Sequence, residues 1–314
     1  MAKVGWVFPG QGAQYVGMGK DLFAQDEEVR KLMLSADRAL GYSLTKIMFE
    51  GPKEELTLTE NAQPALLVAS MACVLLLRRA GLEPDMTAGL SLGEYTALAA
   101  AGSLSFEDAV ILTHRRGLYM QEACPPGEGA MAAILGLSCA EVESLCFEAR
   151  KIGEVAGANY NCPGQIVVSG AAAAVAEVVR RAAALGARSV PLAVSAPFHC
   201  EIMRPAALRL QEDLNRVNIV SPRVPVYANV HGERVAEPSE IRKALLDQVT
   251  KPVLWQTCVE SMIRNGAVAF IEVGPGKTLS GFGKRINPSI PYAQFAGPDD
   301  LEAVLALTRE ALLR

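Results

Sequence analysis

The sequence predicts an α/β fold: a hydrolase-like α/β domain with a central, largely parallel sheet, interrupted by an inserted ferredoxin-like βαββαβ subdomain. Three observations predict it. Short apolar runs alternate with amphipathic helical stretches, the pattern of a sheet covered by helices. Gly89-Leu90-Ser91-Leu92-Gly93-Glu94 reads G-x-S-x-G, which puts a serine on a sharp turn between a strand and a helix. After Cys124-Pro125-Pro126-Gly127-Glu128-Gly129, which has the composition of a linker, six elements follow in the order β-α-β-β-α-β.

The size suits that plan. At 314 residues, half of them apolar, the chain can hold one large core and an insertion. The expected division is a discontinuous catalytic domain, 1–127 with 195–314, and a subdomain at 128–194. A net charge of −4 gives no reason to expect nucleic acid or a membrane as partner. Met1-Ala2-Lys3 leads straight into a short apolar run that stops at Pro9, so no secretory leader is expected. Seven cysteines, none in a C-x-x-C pair, point to reduced thiols, a cytoplasmic location and no zinc or redox motif.

Taken in order, residues 3–8 form a buried first strand. Pro9-Gly10-Gln11-Gly12-Ala13-Gln14 is a loop that lacks the third glycine of a dinucleotide fingerprint, and its spacing alone reads as a strand-to-helix turn. Residues 22–40 form a charged amphipathic helix. Residues 63–80 form a helix that is apolar nearly all round. It has Pro64 near its start and Gly81 past its end, and it reads as a buried central helix rather than a membrane span. A strand at 87–90 reaches Ser91, and helices follow at 94–101 and 106–122.

The subdomain elements are a strand at 130–135, a helix at 140–151, and strands at 154–158 and 165–169 around a turn at 161–164. A helix at 171–185 and a strand at 188–194 complete it. Helices at 201–217, 238–249 and 253–265 and strands at 224–228 and 268–273 rebuild the large domain. Gly274-Pro275-Gly276-Lys277-Thr278 is a turn onto a helix. It is not a P-loop, because Ile271 stands where the first glycine is required.

A serine nucleophile needs a base, and the chain has three histidines. His114 lies mid-helix among arginines, and His231 sits in a Val-His-Gly-Glu surface turn. His199 sits in the loop Ser195-Ala196-Pro197-Phe198-His199, where the chain leaves the insertion. Ser91 and His199 therefore flank the insertion, which suggests a cleft between the two parts. No acidic residue in the interval has the loop context of a triad carboxylate. A backbone carbonyl could orient the imidazole instead.

Five segments in order resemble the malonyl-CoA:acyl-carrier-protein transacylase family of bacterial fatty-acid synthesis. They are Phe8 to Gln14, Gly89 to Glu94, Arg116-Gly117 with Met120-Gln121, Asn159 to Gln165, and Val273 to Lys277. The resemblance covers essentially the whole chain and implies the same fold. It implies Ser91 as nucleophile and His199 as base and acid, oriented by the main-chain carbonyl of Gln248. It implies an oxyanion hole from the amides of Gln11 and Leu92, which gives the first glycine loop a function that its spacing did not. Arg116 becomes the clamp for the malonyl carboxylate, Phe198 a residue selecting malonyl over methylmalonyl, and Asn161 a residue near the substrate.

Lys284 and Arg285 become candidates for docking an acidic carrier. Malonyl-CoA is the implied donor, with acyl carrier protein as partner, no permanent cofactor, no metal and a monomeric enzyme. Leu90 departs from the family, in which many members carry histidine before the nucleophile. Three other readings stay open on sequence alone: an acyltransferase serving a polyketide synthase, a serine esterase or thioesterase, and a carrier-binding module without catalysis.

Overall fold

The computed structural model describes residues 2–194 and 196–313. Ser195, the first residue of the predicted return loop, lies outside the described residues, so the loop is followed from Ala196.

The main sheet is built from β1 (Lys3–Phe8), β2 (Met86–Gly89), β7 (Val226–Tyr227), β8 (Arg234–Val235), β9 (Ala267–Val273) and β10 (Tyr292–Phe295). Its order is β10-β9-β1-β2-β7-β8, parallel from β10 to β7, with β8 antiparallel at the edge. Helices cover both faces, so β1 is apolar on both sides, with Val4, Trp6, Val7 and Phe8 all buried.

The inserted sheet holds β3 (Gly129–Leu135), β4 (Val155–Cys162), β5 (Gln165–Ala171) and β6 (Arg188–Pro191), in the order β4-β5-β3-β6 and antiparallel throughout. With the helices Cys139–Ala149 and Ala172–Ala184 it has the ferredoxin-like connectivity. Ile134, Val142, Val168 and Val178 belong to a core of its own.

Several element boundaries differ from the sequence reading. The helix expected at 22–40 is two, Lys20–Gln25 and Glu27–Leu40. Asp26 is extended between them, and its carboxylate accepts from the amides of Glu28 and Val29. An N-cap inside a continuous apolar pattern ends one helix and starts the next. The loop after β1 runs on to Lys20 instead of turning into a helix at once. β4 continues through Asn161 to Cys162, which shrinks the expected turn to Pro163 and Gly164. β10 and the helix Leu301–Leu312 were not foreseen.

The central helix begins at Thr59 rather than Gln63 and encloses Pro64. A proline there frees the carbonyl of Glu60, four residues earlier. His114 Nδ1 donates to that carbonyl at 3.0 Å, so a neighbouring helix supplies the bond the proline cannot. Among the described residues this is the one helix long and apolar enough to cross a membrane, and most of it is buried inside the protein.

Candidate active site

The site lies at the carboxyl ends of β1, β2 and β7, where open parallel sheets place their ligands. Ser91 follows β2 with φ 53°, a left-handed conformation forced by the elbow. A Cβ at Gly89 would stand 1.9 Å from the backbone of Gly93, and one at Gly93 would stand 2.3 Å from the carbonyl oxygen of Phe8. Both glycines are therefore required by packing. The elbow leads into the helix Gly93–Ala100.

His199, also left-handed at φ 61°, brings Nε2 to 2.8 Å from Ser91 Oγ. Its Nδ1 lies 2.7 Å from the main-chain oxygen of Gln248. A carbonyl only accepts, so Nδ1 carries the proton and Nε2 is free to take the serine's. Burial pushes the imidazole pKa down to about 3, helped by the Arg116 charge and opposed by the Gln248 carbonyl. His199 is therefore neutral near pH 7, the form a base must have.

Arg116 comes from the helix Phe106–Glu122 and is fully buried. Its side chain donates to Gln63 Oε1 at 2.7 Å, Gln248 Oε1 at 2.9 Å and Ser91 Oγ at 3.1 Å. All three acceptors are neutral. Its Nε has no hydrogen-bond partner among the described residues. Burial pulls its pKa down, opposed by Tyr95 and Glu94. The guanidinium can reach Gln63 because Gly117 lets the two helices meet: a Cβ there would sit 2.4 Å from the Thr59 carbonyl oxygen.

A cavity of about 310 Å³ opens over these groups. Gln11, Leu92 and Phe198 line it, as does Leu90. Asn161 does not line it, and Asn159 does. Asn161 is buried, and its Oδ1 has no partner among the described residues. Irregular pairing of β4 with β5 on either side of Tyr160 upsets the simple alternation along this strand.

Lys284 and Arg285 are exposed on the helix Thr278–Ile286, away from the cavity lining. Arg285 donates to Gln165 Oε1 and to the Pro163 carbonyl, so its guanidinium already ties the β4–β5 hairpin to the helix Thr278–Ile286.

Sequence reasoning did not assign roles to Gln63, Glu94 or Asn229. Asn229 Oδ1 accepts from the Ser91 amide at 2.7 Å. Its position two residues past a parallel strand is the one signal that could have marked it.

A strained serine beside a neutral histidine, at the ends of a parallel sheet, defines a nucleophilic acyl-transfer site. The model of the acyl transferase domain family matches residues 5–288, and the chain belongs to that family. It is 44% identical to the malonyl CoA-acyl carrier protein transacylase of Bacillus subtilis, with 99% of this chain and 98% of that protein covered. It superposes on the Clostridium perfringens malonyl CoA-acyl carrier protein transacylase with a TM-score of 0.95, at 41% identity and 99% coverage of both chains. It also superposes, at TM-score 0.94 and 39% identity, on a malonyl-transacylase solved in complex with its type II PKS acyl-carrier protein. That match covers 97% of this chain and 99% of the other.

Proposed function

We propose that the protein transfers malonyl from malonyl-CoA to the phosphopantetheine thiol of an acyl carrier protein, through a malonyl ester on Ser91. The observation that carries this reading is Arg116, a buried guanidinium beside the nucleophile with only neutral acceptors around it. A carboxylate completes such a group with two parallel charged hydrogen bonds. An acetyl group would leave it unpaired. The names of the relatives support the same donor and acceptor.

In the first half-reaction the Ser91 hydroxyl gives its proton to His199 Nε2 while Oγ attacks the thioester carbonyl. Amides of Gln11 and Leu92 stabilise the oxyanion. The intermediate collapses, the C–S bond breaks, and the departing CoA sulfur takes the proton from His199. In the second half the carrier thiol gives its proton to His199 and attacks the ester. The C–O bond breaks, and Ser91 Oγ recovers the proton. The malonyl carboxylate, by neutralising Arg116, also removes one of the charges that depress the imidazole, so the base strengthens when the right substrate is bound.

Phe198 limits space for a methyl branch, and the exposed Lys284 and Arg285 contribute to carrier docking. The reading includes a cytoplasmic monomer with residues 128–194 as a subdomain, and neither a permanent cofactor nor a metal. The relative solved with a polyketide carrier supports a second version with the same chemistry and a different carrier.

The test is intact-mass measurement after exposure to malonyl-, methylmalonyl- and acetyl-CoA. Wild type is expected to gain a malonyl adduct preferentially and Ser91→Ala none. A malonyl adduct on Ser91→Ala at the normal rate would sink the scheme. Adding a fatty-acid or a polyketide carrier then shows which one removes the adduct.

A further inference from the structure

Glu94 has no part in that chemistry, yet it is buried at the centre of the site. It is 1% exposed and lies in the first turn of the helix that leaves the elbow. Its Oε2 accepts from the Asn229 backbone amide at 2.9 Å and from Gln248 Nε2 at 2.7 Å. Those two partners touch Ser91, His199 and Arg116. Asn229 Oδ1 holds the Ser91 amide, and Asn229 Nδ2 donates to the Gly89 carbonyl at 2.8 Å. Gln248 Nε2 also donates to the Ser91 carbonyl at 3.1 Å, while Gln248 Oε1 accepts from Arg116. The Gln248 main-chain oxygen holds His199.

An amide side chain can sit in two orientations related by a half-turn, with oxygen and nitrogen exchanged. Gln248 lies between a carboxylate, which when ionised only accepts, and a guanidinium, which only donates. Its nitrogen must then face Glu94 and its oxygen Arg116. The inverted amide would set oxygen against oxygen and N–H against N–H.

We propose that Glu94, as an anion, is a positioning residue that locks the Gln248 side-chain amide in one orientation and holds the Asn229 main chain in place. Through them it fixes the Ser91 backbone, the carbonyl that orients His199 and the Arg116 guanidinium in a single frame. The proposal rests on the transfer reading above. It predicts a distinctive pH dependence. Arg116 faces Glu94 from the helix Phe106–Glu122, Tyr95 from its own helix, and Cys258 from the helix Trp255–Arg264. Burial pushes the Glu94 carboxyl up to about 7, against the Asn229 amide, the Gln248 side chain and the Arg116 charge. Burial also raises Tyr95 and Cys258, so both stay neutral in that range, and His199 titrates far below it. Protonation of Glu94 removes the charged acceptor and leaves only the longer contact to the Ser91 carbonyl to hold the Gln248 nitrogen, so the rate should fall as pH drops through about 7.

The experiment is the single-turnover rate of Ser91 malonylation in wild type, Glu94→Gln and Glu94→Ala, from about pH 6 to about pH 9. Glu94→Ala is expected to lose about 100-fold, and Glu94→Gln, which keeps an acceptor of the same length, to recover to within about tenfold of wild type. The wild-type limb near pH 7 should be absent in both. Persistence of that limb in folded Glu94→Gln overturns the proposal even if the alanine variant fails to fold, and so does a wild-type rate in Glu94→Ala. If wild type forms no malonyl adduct, the transfer reading fails instead.

Discussion

At Arg116, the three direct acceptors are neutral oxygens, and the nearest carboxylate, Glu94, acts on the guanidinium through its charge and through Gln248 between them. Removing the side chain should cost malonyl transfer about 100-fold, the scale of a lost charged contact in a dry pocket, while acetyl transfer changes little. The ratio of the two rates from competing donors is the measurement. Two buried groups make stability depend on pH in opposite senses. The folded state holds Glu94 near 7 against an ordinary 4.5, so it binds more protons in that window and stability falls as pH rises through it. His199, near 3 folded against 6.5, makes stability rise with pH across its own window. Relative to wild type, Glu94→Gln should therefore gain about 1–3 kcal/mol between about pH 5 and about pH 8, read from urea unfolding. Ser91 and His199 were legible as partners, because the elbow has a local signature and the chain has few histidines. Arg116 was legible only through a resemblance, since a charged residue in a helix normally faces water. Gln63 and Glu94 were illegible because nothing beside them in the chain signals that they converge, and Asn229 carried only its place just past a parallel strand.

At the scale of elements, the junction of the helices Thr59–Arg79 and Phe106–Glu122 decides where the guanidinium points. His114 replaces the bond lost to Pro64, and Gly117 allows contact three residues further along the same helix. Alanine at 117 would gain about 1 kcal/mol of helix propensity. Overpacking costs about 1–3 kcal/mol, and here the obstacle is main chain that cannot rotate aside. Gly117→Ala should therefore be net destabilising in urea titration, and the shift of Arg116 should reduce malonyl transfer further than the stability loss accounts for. The same junction explains a boundary that sequence misplaced. Pro64 marked a helix start by local rules, and only a donor from another helix lets the helix begin at Thr59. At Asp26 the error runs the other way: apolar spacing continues across a residue that caps the next helix.

For the whole molecule, the ferredoxin-like order and the parallel core followed from the rhythm of strands and helices. The short edge strands β8 and β10 did not, because two to four residues carry too little periodicity to read. The sheet brings together segments far apart in sequence, and β1 is its most extreme case. It pairs with β2 on one side and β9 on the other, and Val4 stands opposite Ala269. During synthesis, then, one side of this apolar strand has no neighbour until β9, which lies far along the chain at Ala267–Val273, has emerged from the ribosome. Long-range parallel pairing of this kind is slow and leaves edges exposed to other chains. A chain stopped after residue 266 should sediment as aggregate under conditions that keep the full chain in the supernatant, and adding residues through Phe295 should restore much of the soluble fraction. The enzyme's first strand would thus be a nascent-chain hazard, with a need for chaperone cover set by the position of β9.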